Sequence, residues 1–81
     1  MCRLLINLNE EKIKKDGKYT VDELQGELQK IADSFEVLKD ENGCFYSSRN
    51  NDNDINRIRT TIFRDARIFV NLMDMCVLRS A

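Results

Sequence analysis

The sequence predicts an α+β fold: a small two-layer domain in the order β-(short α)-α-β-β-α, a three-stranded sheet packed on two helices, with a long C-terminal helix. Three observations carry this. Leu4, Ile6 and Leu8 alternate with Arg3, Leu5 and Asn7, the period of a half-buried strand. Val21, Leu24, Leu28, Ile31 and Phe35 recur at helical spacing. From Ile55 onward a second stripe, Ile58, Ile62, Ala66, Phe69, Met73 and Cys76, advances in steps of three or four. The chain has 81 residues, 42% of them apolar, which is enough for one core and one domain spanning 1–81.

Each element has local support. After the strand at residues 2–8, Asn9 is placed to cap a short helix from Glu10 to Lys15. Glu10 with Lys14 and Glu11 with Lys15 are favourable i,i+4 pairs, and Asp16-Gly17 ends the helix, Gly17 being free to turn left-handed. Thr20-Val21-Asp22-Glu23 is a capping box, a hydroxyl with a glutamate three residues on. The helix it opens runs about four turns, with Gly26 as its weak point. Residues 36–39 and 44–47 are β-prone runs around Asp40-Glu41-Asn42-Gly43, and Asn-Gly between such runs signals a hairpin. Ser47 to Asp54 is wholly polar and links the two patterned regions.

The last stripe predicts one helix over about 54–78, capped by Asp52, Asn53 or Asp54. Its second half adds Ile68, Val70, Leu72, Met75, Val77 and Leu78, so it is apolar nearly all round. A helix of that length spans roughly 37 Å and would outreach a compact chain of this size, about 30 Å across. A partner or a second copy is therefore expected over Phe69, Leu72, Met73, Met75, Cys76, Val77 and Leu78. A break near Arg67, turning Ile68-Phe69-Val70 into a strand, is the alternative.

Composition argues against most chemistry. There is no histidine, the usual general base and zinc ligand. Ser47, Ser48 and Cys44 are candidate nucleophiles without that base, and the carboxylates of Glu10-Glu11 and Asp22-Glu23 read as exposed. Asp52-Asn53-Asp54-Ile55-Asn56 opens like a calcium loop, but Arg57 and Phe63 occupy the positions that need glycine and glutamate. Gly17-Lys18 lacks the glycine of a phosphate loop five residues earlier, where Lys12 stands. Cys2, Cys44 and Cys76 are odd in number and widely spaced, giving neither a disulfide framework nor a metal motif. No apolar run reaches the ~20 residues of a membrane span, and the start lacks a secretory pattern, so the cytoplasm is expected.

These readings predict a small non-enzymatic protein-interaction module, an accessory or inhibitory protein with no cofactor, no metal, no membrane association and no small-molecule substrate. Its partner is another protein or a second copy, with a homodimer expected. The alternative is nucleic-acid binding. Residues 44–81 hold six basic and four acidic side chains, and Arg57, Arg64 and Arg67 would share one side of the final helix, suited to phosphates or carboxylates. Pairing with the acidic helix through Glu27 or Asp33 would explain the same arginines. Residues 2–35, a strand, a short helix, a turn and a second helix, also resemble a ribbon-helix-helix DNA-binding domain. The resemblance implies that Arg3, Leu5 and Asn7 read base edges from a strand paired across a dimer. The first helix is more than a turn shorter than in that family. Asp22-Glu23 also stand where the family turns its helix N-terminus to a DNA phosphate.

Overall fold

The computed structural model of the protein describes residues 2–79. Among these residues four helices and four strands run in the order β1 (Cys2–Leu8), α1 (Glu10–Asp16), α2 (Val21–Ser34), β2 (Val37–Lys39), β3 (Phe45–Ser47), α3 (Asp52–Arg64), α4 (Ala66–Phe69) and β4 (Leu72–Arg79). The strands form one antiparallel sheet in the order β2-β3-β1-β4. It is a small α+β domain, as the sequence predicts.

The first half follows its local chemistry. The Asn9 side chain accepts the Lys12 amide, and Gly17 closes α1 in the left-handed region at φ 68°. The Thr20 hydroxyl accepts the Glu23 amide at 3.1 Å, the expected capping contact of α2. In the β2–β3 turn the Asp40 carboxylate accepts the amides of Asn42 and Cys44, both at 2.9 Å, and Gly43 takes φ 83°.

The second half corrects the expectation. The sheet has four strands, not three, and the long helix over 54–78 does not form. Its place is taken by α3, α4 and β4. Asn51, one residue before the expected caps, accepts the Asn53 amide and opens α3. Asp65 then leaves the helical region at φ −96°, ψ 100°, and its side chain caps α4 by accepting the Arg67 amide. The break therefore falls at Asp65, ahead of Arg67, and Ile68-Phe69-Val70 is not a strand: Ile68 and Phe69 end α4, and the strand begins at Leu72. The physical reason is a competitor that local spacing does not show. Residues 72–79 can continue a helix or pair along the open side of β1, and that pairing satisfies the open side of β1 together with the facing half of β4's own backbone, from Cys2↔Arg79 to Leu8↔Leu72.

One apolar cluster joins the layers. The strands contribute Cys2, Leu4, Leu8, Val37 and Phe45. The helices contribute Ile13 from α1, Leu24, Leu28 and Ala32 from α2, Ile55, Ile58 and Ile62 from α3, and Ile68 from α4. The stripe of the last region thus holds for Ile55, Ile58 and Ile62, and fails beyond the break, where Ile68 is buried in place of Phe69. Alternation puts Arg3, Leu5, Asn7, Leu38, Tyr46, Asp74, Cys76 and Leu78 on the opposite face of the sheet, outside that cluster.

Candidate interaction surface at the edge strand

Among the described residues β4 ends the sheet, so one side of it carries unpaired backbone groups. Six of its eight residues are apolar, yet none of the eight is buried. Leu72, Met75 and Val77 turn inward and pack only partly against the core. Met73 is 64% exposed and Leu78 46%. The pairing with β1 slips between Asn7 and Leu8, which leaves Met73 as the extra residue of a bulge. From Asp74 to Arg79 the strand is regular, and its Asp74 is tied to Asn7 by a 2.7 Å hydrogen bond.

Of the seven expected interface residues, Phe69 lies on α4 and the other six lie on β4. The surface is a strand, not the helix the spacing suggested. Phe69 is 48% exposed and stacks at a tilt on Phe63, ring centroids 5.5 Å apart. Cys76 is an exposed free thiol, while Cys2 and Cys44 are free and buried.

The sheet's outer face adds a second uncovered surface. A row runs across all four strands through Leu38, Tyr46, Arg3 and Leu78. Arg3 lies 5.7 Å from the Tyr46 ring centroid and forms an ion pair with Asp40. The Cys44 amide above all, helped by the Asn42 amide and Arg3, holds the Asp40 carboxyl below its ordinary value, against a smaller opposing effect of burial.

The arginine stripe is divided. Arg57 and Arg64 stand on α3, and Arg67 lies past the break on α4. Arg67 is held by Asp65 at 3.0 Å and by Glu27 at 3.2 Å, the pairing with the acidic helix that the sequence allowed. Arg67 holds the Asp65 carboxyl below its ordinary value. The ribbon arrangement is also altered: β1 sits between β3 and β4 of its own chain, so Arg3, Leu5 and Asn7 belong to an inner strand.

A polar cluster that sequence reasoning missed ties α3 to the hairpin. The Asp54 side chain is fully buried, accepts the Ser47 hydroxyl at 2.7 Å and takes the Arg49 guanidinium at 2.6 Å. Arg49 first and Ser47 second hold its carboxyl below the ordinary value, and Asp54 in turn raises Arg49. Asn51 serves as the cap of α3, which leaves the Asp54 carboxylate to these partners. The Ser47 hydroxyl also accepts the amides of Arg49 and Asn51, so it knits the loop and is no exposed nucleophile.

Open clefts flank the helices. One of about 430 Å³ is lined by Ile13, Asp16, Lys18, Tyr19, Arg67 and Asn71 among others. Among the described residues no group of three or more histidine, cysteine or acidic side chains is placed to hold a metal ion. No helix among them is long and apolar enough to cross a membrane. Comparison with known proteins finds no family model that matches this chain and no curated protein similar to it.

Proposed function

We propose that this protein is a small non-enzymatic interaction module that binds other polypeptide by accepting an added strand at β4. One observation carries the reading: an eight-residue edge strand, six residues apolar, stands with none of its residues buried and one backbone edge unpaired. Edges of this kind template pairing with further chain, main-chain hydrogen bonds supplying affinity and alternate side chains supplying specificity. The usual guards of an edge strand are proline, charged side chains, bulges and brevity. β4 has no proline or lysine, is the longest strand described, and carries its bulge at Met73, before the regular stretch from Asp74 to Arg79. Its two charges, Asp74 and Arg79, stand near its two ends and leave the middle apolar. Two buried free thiols suit the reducing environment of the cytoplasm.

Panning a random-peptide library against the full chain tests this. The expected binders are extended, apolar-alternating peptides. Their binding is lost in the double variant Cys76→Lys with Leu78→Lys, both exposed positions, while circular dichroism of the fold is unchanged. Binders that tolerate both lysines place the binding surface elsewhere and overturn the reading.

A further inference from the structure

We infer that Asn42 is a site of spontaneous deamidation, and that its isoaspartate product loosens the β2–β3 hairpin as the protein ages. The inference is independent of the reading of β4.

The chemistry needs no partner but water. The backbone nitrogen of Gly43, having lost its proton, attacks the side-chain carbonyl carbon of Asn42. A new C–N bond closes a succinimide ring, and the side-chain amide leaves as ammonia. Water then opens the ring at either carbonyl. One opening gives aspartate. The other gives isoaspartate, in which the main chain runs through the side-chain methylene. Nothing is oxidised or reduced, and the chain exchanges a neutral amide for a carboxylic acid.

Four observations select Asn42. It is exposed, in the turn between β2 and β3. Its backbone amide is held by the Asp40 carboxylate, but its side-chain amide has no hydrogen-bond partner among the described residues. Glycine follows it, so no side chain stands between the attacking nitrogen and its target. A β-carbon placed at Gly43 would meet only the far end of the Lys39 side chain, at 3.9 Å, so the turn is open there. The attacking nitrogen is held by one turn hydrogen bond, to the Asp40 carbonyl at 3.1 Å. An exposed turn opens locally far more often than the whole fold does, and that opening frees the nitrogen to reach the side chain.

The other asparagines are tied down. Asn9 and Asn51 cap helices, Asn7 donates to Asp74, and Asn71 donates to the Arg67 carbonyl. Asn53 and Asn56 lie inside α3, where the backbone nitrogens that follow them are held in helical geometry. Asn50 precedes Asn51, whose amide donates to the buried Ser47 hydroxyl.

The consequence follows from how this turn is anchored. Asp40 accepts the amides of Asn42 and Cys44, both at 2.9 Å, and pairs with Arg3 of β1. In isoaspartate an extra methylene separates those two amides, so one carboxylate no longer spans both. The new charge also stands beside Asp40 and Glu41, which have the same sign.

Ageing the reduced full chain at neutral and at mildly alkaline pH tests this. The expected readout is a gain of one dalton, located at Asn42 by peptide mapping ahead of every other asparagine. It is expected to grow faster at the higher pH, because the attacking nitrogen must lose its proton. Asn42→Gln, which would have to close a larger and slower-forming ring, is expected to lose the gain. A native chain that keeps its mass overturns the site; conversion of a urea-unfolded chain alongside it would show that the folded turn holds the nitrogen out of reach. Conversion that begins at another asparagine, or that is indifferent to pH, also overturns it. Asn42→Asp supplies the plain aspartate product for comparison. The isoaspartate form, separated by ion exchange, is expected to melt below Asn42→Asp. Equal melting overturns the loosening of the hairpin and leaves the modification standing.

Discussion

The two edges of this sheet are built to opposite rules. β2 is three residues long, its Val37 is 1% exposed, Leu38 points outward, and Lys39 lies on the Val37 face with its ammonium over the Phe45 ring. Beyond it Asp40 turns the chain immediately into the hairpin, anchored by two amides and Arg3. α2 lies against this side. β4 is eight residues long and has no buried residue. Short, charged and covered is how a protein closes an edge, and long, apolar and bare is how one is left available. The difference sets a guarded edge against a bare one within a single sheet.

The largest expected effect breaks the comparison at its energetic root. Val37→Ala empties a fully enclosed site and is expected to cost about 2–3 kcal/mol. Val77→Ala, the same chemistry on a half-covered strand, is expected to cost about 1 kcal/mol or less. Thermal unfolding of dilute protein measures both, and equal losses would mean that β4 is as firmly part of the core as β2.

Acid should act on the β2 side next. Asp40 and Asp54 both have carboxyls held below the ordinary 3.8 in the folded chain. A group lowered by folding stabilises fully above its unfolded value and loses that contribution as pH falls through the folded one. Stability should therefore be level above about pH 5 and decline below 3.8 as these two anchors of the hairpin protonate. Urea midpoints across this range should show a smaller decline in Asp54→Asn than in wild type, and an unchanged slope would remove Asp54 from the account.

The smallest effect sharpens the contrast from above. A methyl group added at Gly26 meets no atom within 4 Å, and the residue lies inside α2. Gly26→Ala should raise stability by about 0.5–1 kcal/mol, seen as a higher melting temperature. Because α2 packs on the β2 side, hydrogen exchange there should slow while that of β4 does not.

Much of the first half was legible because its signals are local. Asn9, Gly17 and Thr20 cap what their positions imply, and Leu4, Leu24 and Leu28 fall on the buried faces that their spacing assigns. The region after Asp65 was misread for a physical reason. Phe69, Met73 and Cys76 keep helical spacing, while Met75 and Val77 keep the spacing of a strand, so the residues alone satisfy both. What decides is the free side of β1, some seventy positions away, and a pattern of periods contains no term for it. Asp65 was the available hint: a polar residue with capping geometry, inside an otherwise continuous stripe. Met73, Cys76 and Leu78 are exposed in the strand, as a helix apolar nearly all round would also have left residues of this stretch. The Arg57, Arg64 and Arg67 alignment did not survive, since it required a continuous helix.

The pairing of Cys2 with Arg79 has a kinetic side. The central strand of the sheet receives one of its two neighbours from the opposite end of the chain, so this ladder closes a loop of nearly the full length before any of its bonds can form. Such closure is entropically late, and topologies that need it fold slowly for their size. Slow folding through that closure puts the β1–β4 ladder in the folding transition state, so weakening it slows folding as well as lowering stability.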